Sequence, residues 1–174
     1  MSAGSSLRRL AGWAYALRYR VTSRGRIAGS SFVIRRPSLI RVTAGVRVTI
    51  GTGVMIEQGA RIVAHASLRI GNDVYVGKNA TLIAFAPLTI GSRTLIGENV
   101  SIHTEDHGPA GRRDEYLVSP VIVDEDTWIG AGAVVLRGCS IGAGTTIGAN
   151  SVVTGDIPPS VLAAGAPATV RRAL

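Results

Sequence analysis

The chain has 174 residues and a formal net charge of +8, with 22 glycines and one cysteine. That length allows one domain with short extensions, the lone Cys139 excludes an internal disulfide, and no run reaches the 18 or so apolar residues that cross a bilayer. The charge asks for an anionic partner, but only 5% of residues are aromatic and no nucleic-acid reading motif occurs. The arginines cluster at the two ends, which favours an anionic cofactor or an acidic membrane surface over nucleic acid.

Residues 1–6 are small and polar. Leu7, Leu10, Ala11, Ala14 and Leu17 then fall at helical spacing, with Trp13 and Tyr15 beside them and Arg8, Arg9, Arg18, Arg20, Arg24 and Arg26 around them. Residues 1–28 are therefore expected to form a basic amphipathic segment. It caps the open end of the main fold or packs on a neighbouring subunit; the sharper alternative is an interfacial helix on anionic lipid. Its apolar part ends in Arg18 and Arg20 without a convincing cleavage site, so no signal peptide is expected. The expected location is the cytoplasm, with peripheral contact at the inner membrane face if the helix meets lipid.

Residues 27–48 carry a weaker apolar pattern in Val33, Ile34, Leu39, Ile40 and Val42, read as an irregular first coil in which Pro37 rules out a long strand. From Ile50 a strict pattern begins. Ile50, Ile56 and Ile62, then Ile70, Val76 and Leu82, then Ile90, Ile96 and Ile102 are spaced by six. After a gap, so are Val123, Ile129, Val135, Ile141, Ile147 and Val153. Small or β-branched residues recur four places later, among them Ala60, Ala80, Thr94, Ala133, Cys139 and Ser151. A period of six fits neither a helix nor plain strand alternation. It fits a solenoid whose coil has three short flat sides, with the spaced aliphatics inside, the small residues at the bends and glycine at tight corners. Cys139 falls on a bend and reads as a buried structural thiol. Val48-Thr49-Ile50, Leu68-Arg69-Ile70 and Leu88-Thr89-Ile90 recur every 20 residues, so these coils are 18 plus two; Val123 to Ile141 is a plain 18. The solenoid is expected over 29–157, interrupted by a long loop at 103–120, and a tail covers 158–174 beyond Ile157-Pro158-Pro159.

The array resembles the hexapeptide-repeat proteins. The run Asp126-Thr127-Trp128-Ile129-Gly130, with Ile141-Gly142, Ile147-Gly148-Ala149, Asp156-Ile157-Pro158-Pro159 and Ala164-Gly165-Ala166-Pro167, is similar to their O-acetyltransferases. The nearest branch acts on galactosides, maltose and polysaccharides, and the resemblance spans about residues 45–172. It implies an all-β, left-handed parallel β-helix, assembled as a homotrimer with the site between subunits. The implied function is transfer of an acetyl group from acetyl-coenzyme A to a hydroxyl of a sugar or glycan, with no metal required. Chemistry excluded from the inside of a solenoid belongs on its loops, and the loop holds Glu105-Asp106-His107-Gly108. The resemblance makes His107 the base at the acceptor oxygen, a role for which imidazole is matched to neutral pH. It makes Glu115 the carboxylate that orients it, with Asp114 and Asp106 near enough to compete. His103 is an alternative base or lines the same cleft, and His65 is structural.

Asn79 matches an acceptor-binding asparagine of the family, against the plain reading of a corner residue in left-handed backbone. Trp128, one place before an inward Ile, should project outward as a ligand wall or subunit contact. For the donor, the resemblance implies backbone contacts near Ala131 and Ala149, with Thr154, Arg171 and Arg172 toward the nucleotide end. Gly155 and Thr169 stand where relatives carry cations, and Arg171 can compensate. Two other readings compete: a trimeric scaffold without activity, and a zinc enzyme of the γ-carbonic anhydrase kind using three histidines. The histidines sit in the wrong registers for the latter.

Overall fold

A computed structural model describes residues 12, 14, 27–29, 31–108 and 115–174. Three parallel sheets form the three sides of a solenoid. The first holds Ile27–Ala28, Val48–Ile50, Leu68–Ile70, Leu88–Ile90, Val121–Val123 and Ser140–Ile141. The second runs from Phe32–Ile34 through Val54–Ile56, Tyr75–Val76, Leu95–Ile96, Trp128–Ile129 and Thr146–Ile147 to Val161–Ala164 and Thr169–Ala173. The third contains Leu39–Val42, Arg61–Ala64, Thr81–Ala84, Ser101–His103, Val134–Val135 and Val152–Val153.

The period of six becomes three buried columns. Ile50, Ile70, Ile90, Val123 and Ile141 stack in register on the first sheet. Ile34, Ile56, Val76, Ile96, Ile129, Ile147 and Ala163 do so on the second, and Ile40, Ile62, Leu82, Ile102, Val135 and Val153 on the third. All of these side chains are buried. Each fully buried aliphatic contributes on the order of 1.5–3 kcal/mol, and the register lets every one meet its counterparts above and below. The small bend residues are buried too, Cys139 among them, and burial pushes its thiol pKa up.

Close stacking explains the glycines after the inward residues. A Cβ on Gly130 would fall 2.6 Å from the Ala149 nitrogen of the next coil, so the backbone approach itself excludes a side chain. The outer corners use left-handed backbone, with Asp73, Asn79, Arg93, Asn99, Asp126 and Asn150 at φ between 54° and 58°.

The two surplus residues of the 20-residue coils lengthen the third side. There Val63, Ile83 and His103 form an extra outer rung, and Ala64 pairs with Ala84 on the inside. Thr104 continues that inner position, fully buried. Its Oγ1 accepts the Phe85 and Ala86 N–H groups at 2.7 and 2.9 Å. One coil lower, the Ala84 carbonyl accepts the equivalent N–H groups of His65 and Ala66, so a hydroxyl replaces a carbonyl at this corner. From this point the chain leaves the solenoid as an antiparallel hairpin, Glu105–His107 against Tyr116–Val118. The hairpin returns with Ser119 N bonding to Thr104 O.

Two expectations change. The coil over 27–48 is not irregular: Ile27, Phe32, Ile34 and Ile40 are buried and pair in register with the coil above. The solenoid also passes the Pro-Pro pair, because Ile157 bridges to Ile141 and Ala163 completes the second column. Residues 158–174, expected as a tail beyond the solenoid, are thus a further side of the coil plus a strand that folds back antiparallel. Of the amphipathic N-terminal segment only Gly12 and Ala14, both helical, lie within the described residues. Gly12 is buried, and a Cβ there would sit 2.5 Å from Val33 Cγ1, so this residue lies against the first coil.

Candidate active site on the hairpin corner

The hairpin places His107 opposite Tyr116, and Gly108 N donates to Glu115 O at 2.9 Å. Four rings connect this pair to the solenoid. His65 stacks on Phe85 with centroids 4.3 Å apart, Phe85 on Tyr116 at 5.6 Å, and Tyr116 tilts against His107 at 4.9 Å. His65 is tied at its other side by Thr43 Oγ1 at Nδ1, 2.9 Å away. His65 and Phe85 are equivalent corner positions of successive coils, so the ladder climbs the corner and ends in the hairpin. His65 is structural, as expected from the sequence, but it is the foot of the support under His107. Phe85 and Tyr116 escape sequence reading. The signal is present in the 20-residue offset between His65 and Phe85.

His103 occupies the extra outer rung of the third sheet, just before the hairpin. Its Nδ1 lies 2.9 Å from Glu105 Oε1 and its Nε2 2.6 Å from Ser101 Oγ. Glu105 is thus a carboxylate set on a histidine ring, that of His103. Asp106 turns back to accept the His107 backbone N–H at 2.8 Å. Asp114 lies outside the described residues. Among the described residues no three His, Cys, Asp or Glu side chains are grouped to hold a metal ion. The three histidines are engaged in three different sets of contacts.

The other expected site residues lie elsewhere on the same chain. Asn79 sits at the corner between the second and third sheets with φ 57°, the corner reading foreseen for it. Ala131 and Ala149 are exposed two and three coils further along that corner. Trp128 points outward from the second sheet, 54% exposed, between Leu95 and Thr146. Thr154 is exposed at the corner of the third and first sheets, the one from which the hairpin leaves. Arg171 and Arg172 are exposed on the final strand, the former donating to Ala164 O at 3.1 Å. One chain thus keeps Asn79, Ala131 and Ala149 on one edge of the third sheet, and His107, Glu115 and Thr154 on the other. A shallow depression of about 420 Å³ beside Arg69, Ser92 and Glu125 opens at yet another corner. It holds no histidine, so the chemistry is better sought at the hairpin.

Residues 120–155 match the family described as Bacterial transferase hexapeptide (six repeats). A galactoside O-acetyltransferase of Lactococcus lactis is 50% identical over 52 residues, 30% of this chain and 25% of that protein. The galactoside O-acetyltransferase of Escherichia coli is 41% identical over 66 residues, 38% of this chain and 32% of that protein. The chain thus spans between a quarter and a third of these relatives' lengths. Among solved structures, the N-acyltransferase AntD of Bacillus cereus, in complex with dTDP and 3-hydroxybutyryl-CoA, superposes with a TM-score of 0.77 at 18% identity, covering 90% of this chain and 87% of that one. A hexapeptide-repeat-containing acetyltransferase of Vibrio cholerae, complexed with acetyl-coenzyme A, gives 0.60 at 24% identity, covering 99% and 90%. These similarities give the fold, the hexapeptide-repeat β-helix.

Proposed function

We propose that this hexapeptide-repeat protein, whose repeats are those of the bacterial hexapeptide transferases, is an acetyl-coenzyme A-dependent O-acetyltransferase. Its acceptor is a hydroxyl on a sugar or glycan, and it works as a homotrimer. One observation carries the reading: the hairpin interrupts the solenoid, and there an exposed histidine is propped on a ring ladder rooted two coils below.

The bound donor would supply an activated thioester. Small exposed residues fit its pantetheine arm at the Ala131–Ala149 corner, and the guanidiniums of Arg171 and Arg172 fit its phosphates. Because one chain holds the donor corner and the hairpin on opposite edges of the third sheet, the complete site requires the corner of one subunit against the hairpin of the next. His107 then takes the proton from the acceptor hydroxyl, with Glu115 across the hairpin as the carboxylate near it. Relatives in both reaction classes leave the amine acceptor as the rival reading, since AntD is an N-acyltransferase.

Calorimetry with acetyl-coenzyme A, then an acceptor screen of galactosides and amino sugars, tests the proposal. Micromolar binding near one site per chain and acetyl ester on the sugar oxygen are expected. His107→Ala should lower kcat about 10²–10⁴-fold while the donor still binds. Activity within threefold of wild type removes His107 from the mechanism, and acetylation only of amines replaces the O-acetyl reading.

A further inference from the structure

We propose that Ser101, His103 and Glu105 form a second reactive centre, in which Ser101 is a nucleophile toward small activated acyl esters and thioesters. The three residues alternate along one stretch of chain and meet through a single ring. An ionised carboxylate only accepts hydrogen bonds, so Glu105 Oε1 at 2.9 Å fixes the imidazole proton on Nδ1. Nε2 is then an acceptor, and the group facing it at 2.6 Å is the Ser101 hydroxyl. This is the order of roles that activates a hydroxyl: nucleophile, base, and a third group that sets the tautomer and steadies the imidazolium.

Burial strengthens the assignment. The Glu105 side chain is only 13% exposed, and its second oxygen, Oε2, is buried and has no hydrogen-bond partner among the described residues. A carboxylate held this far out of water keeps its one ring contact in a fixed geometry. Ser101 and His103 face outward on the third sheet, half-buried, with Thr81 and Ile83 as their neighbours in the coil below. They are therefore reachable from outside the solenoid. His107 belongs to the hairpin ladder and takes no part in these contacts.

In the acylation step the Ser101 O–H proton passes to His103 Nε2 as Oγ bonds to the acyl carbon. The tetrahedral adduct collapses, breaking the bond to the thiol or alcohol, which leaves with that proton. The products are a serine ester and the free leaving group; water, activated by the same ring, releases the carboxylic acid and restores Ser101.

The full-length protein, with no coenzyme A or acceptor present, is treated with a fluorophosphonate probe and the adduct is mapped by mass spectrometry. Omitting donor and acceptor keeps this result separate from the acetyl-transfer reading. Labelling at Ser101 is expected. His103→Ala should slow it about 10²–10⁴-fold, Glu105→Gln should slow it clearly, and Ser92→Ala, at another corner, should leave it unchanged. His103 and Glu105 could also support the hairpin, so thermal unfolding of each variant is compared. Release of nitrophenolate from p-nitrophenyl acetate by wild type and Ser101→Ala gives a second readout, expected to be lost in the variant. No adduct, an adduct elsewhere, or labelling indifferent to His103→Ala overturns the proposal and leaves Ser101 as a clamp on the ring.

Discussion

Phe85 stacks on Tyr116 with ring planes 7° apart and centroids separated by 5.6 Å. Phe85 belongs to the solenoid corner and Tyr116 to the returning strand of the hairpin, so this one contact joins the rigid coil to the segment carrying His107. An offset ring pair contributes about 0.5–1.5 kcal/mol beyond its buried area. Phe85→Ala removes the pair and the ring beneath it. Because Phe85 is half-buried, the expected loss of stability is about 1–3 kcal/mol, below the range for a fully buried aromatic. The larger effect should be on kcat in sugar acetylation, with donor affinity near wild type. Steady-state kinetics beside calorimetry decide: equal loss of donor binding would mean the corner collapses, not that the hairpin drifts.

Gly155 stands where the resemblance implies a cation, and it offers a gain-of-function test. A Cβ built on Gly155 meets nothing within 4 Å, and the neighbouring Thr154 and Asp156 are exposed. Gly155→Lys should be accepted without strain. If the phosphates of acetyl-coenzyme A lie by this corner, the substitution should tighten binding several-fold at low salt and lose that advantage as salt screens it. Calorimetry at two ionic strengths reads both. Unchanged affinity would move the nucleotide away from this corner.

Legibility in the sequence depends on which interactions are periodic. The inward columns are legible because each coil repeats the same demand, and Ile50 or Leu82 has no other place to go. The bend thiol Cys139 is legible for the same reason. The coil containing Phe32 and Ile40 is not, because Pro37 and a 21-residue offset between Ile27 and Val48 disguise its register. Ile157 is masked in the same way by the prolines after it. The site is only half legible. A resemblance points to His107, but contacts made by an insertion have no period to reveal them. The Ser101–His103–Glu105 cluster goes unread, since nothing in the spacing says that alternate residues 101, 103 and 105 close on one ring.

Asp126 gives the fold a pH dependence of known sign. Its carboxylate accepts two bonds from the Arg93 guanidinium, both 2.7 Å. That hydrogen bonding, more than the charge, holds its pKa below the ordinary carboxylate value. A depressed folded pKa contributes stability above the unfolded value, near 3.9, and loses it as pH falls through the folded one. The pair is solvent-exposed, so the effect is small. Asp126→Asn keeps the left-handed backbone that Asn tolerates and removes the charge. Thermal unfolding should show the variant less stable at pH 7, with the gap closing as pH falls through the folded carboxyl's range. A gap that persists in acid would assign the loss to corner geometry.

Trp128 tests the assembly. On the outer face of the second sheet, Met55, Tyr75, Leu95 and Trp128 line up in register across four coils. Leu95 and Trp128 are about half exposed. A row of large apolar side chains on a flat face marks a contact surface, and in the proposed homotrimer it would lie between chains. Sedimentation equilibrium should give a species of three chains, and Trp128→Glu should shift it toward the single chain by burying a charge in that contact. If the site is shared between subunits, transferase activity should fall with the trimer, and the Tyr116–His107 ring contact within each chain should survive. A wild-type protein that sediments as one chain would leave the donor corner and the hairpin apart, and the shared site would have to be abandoned.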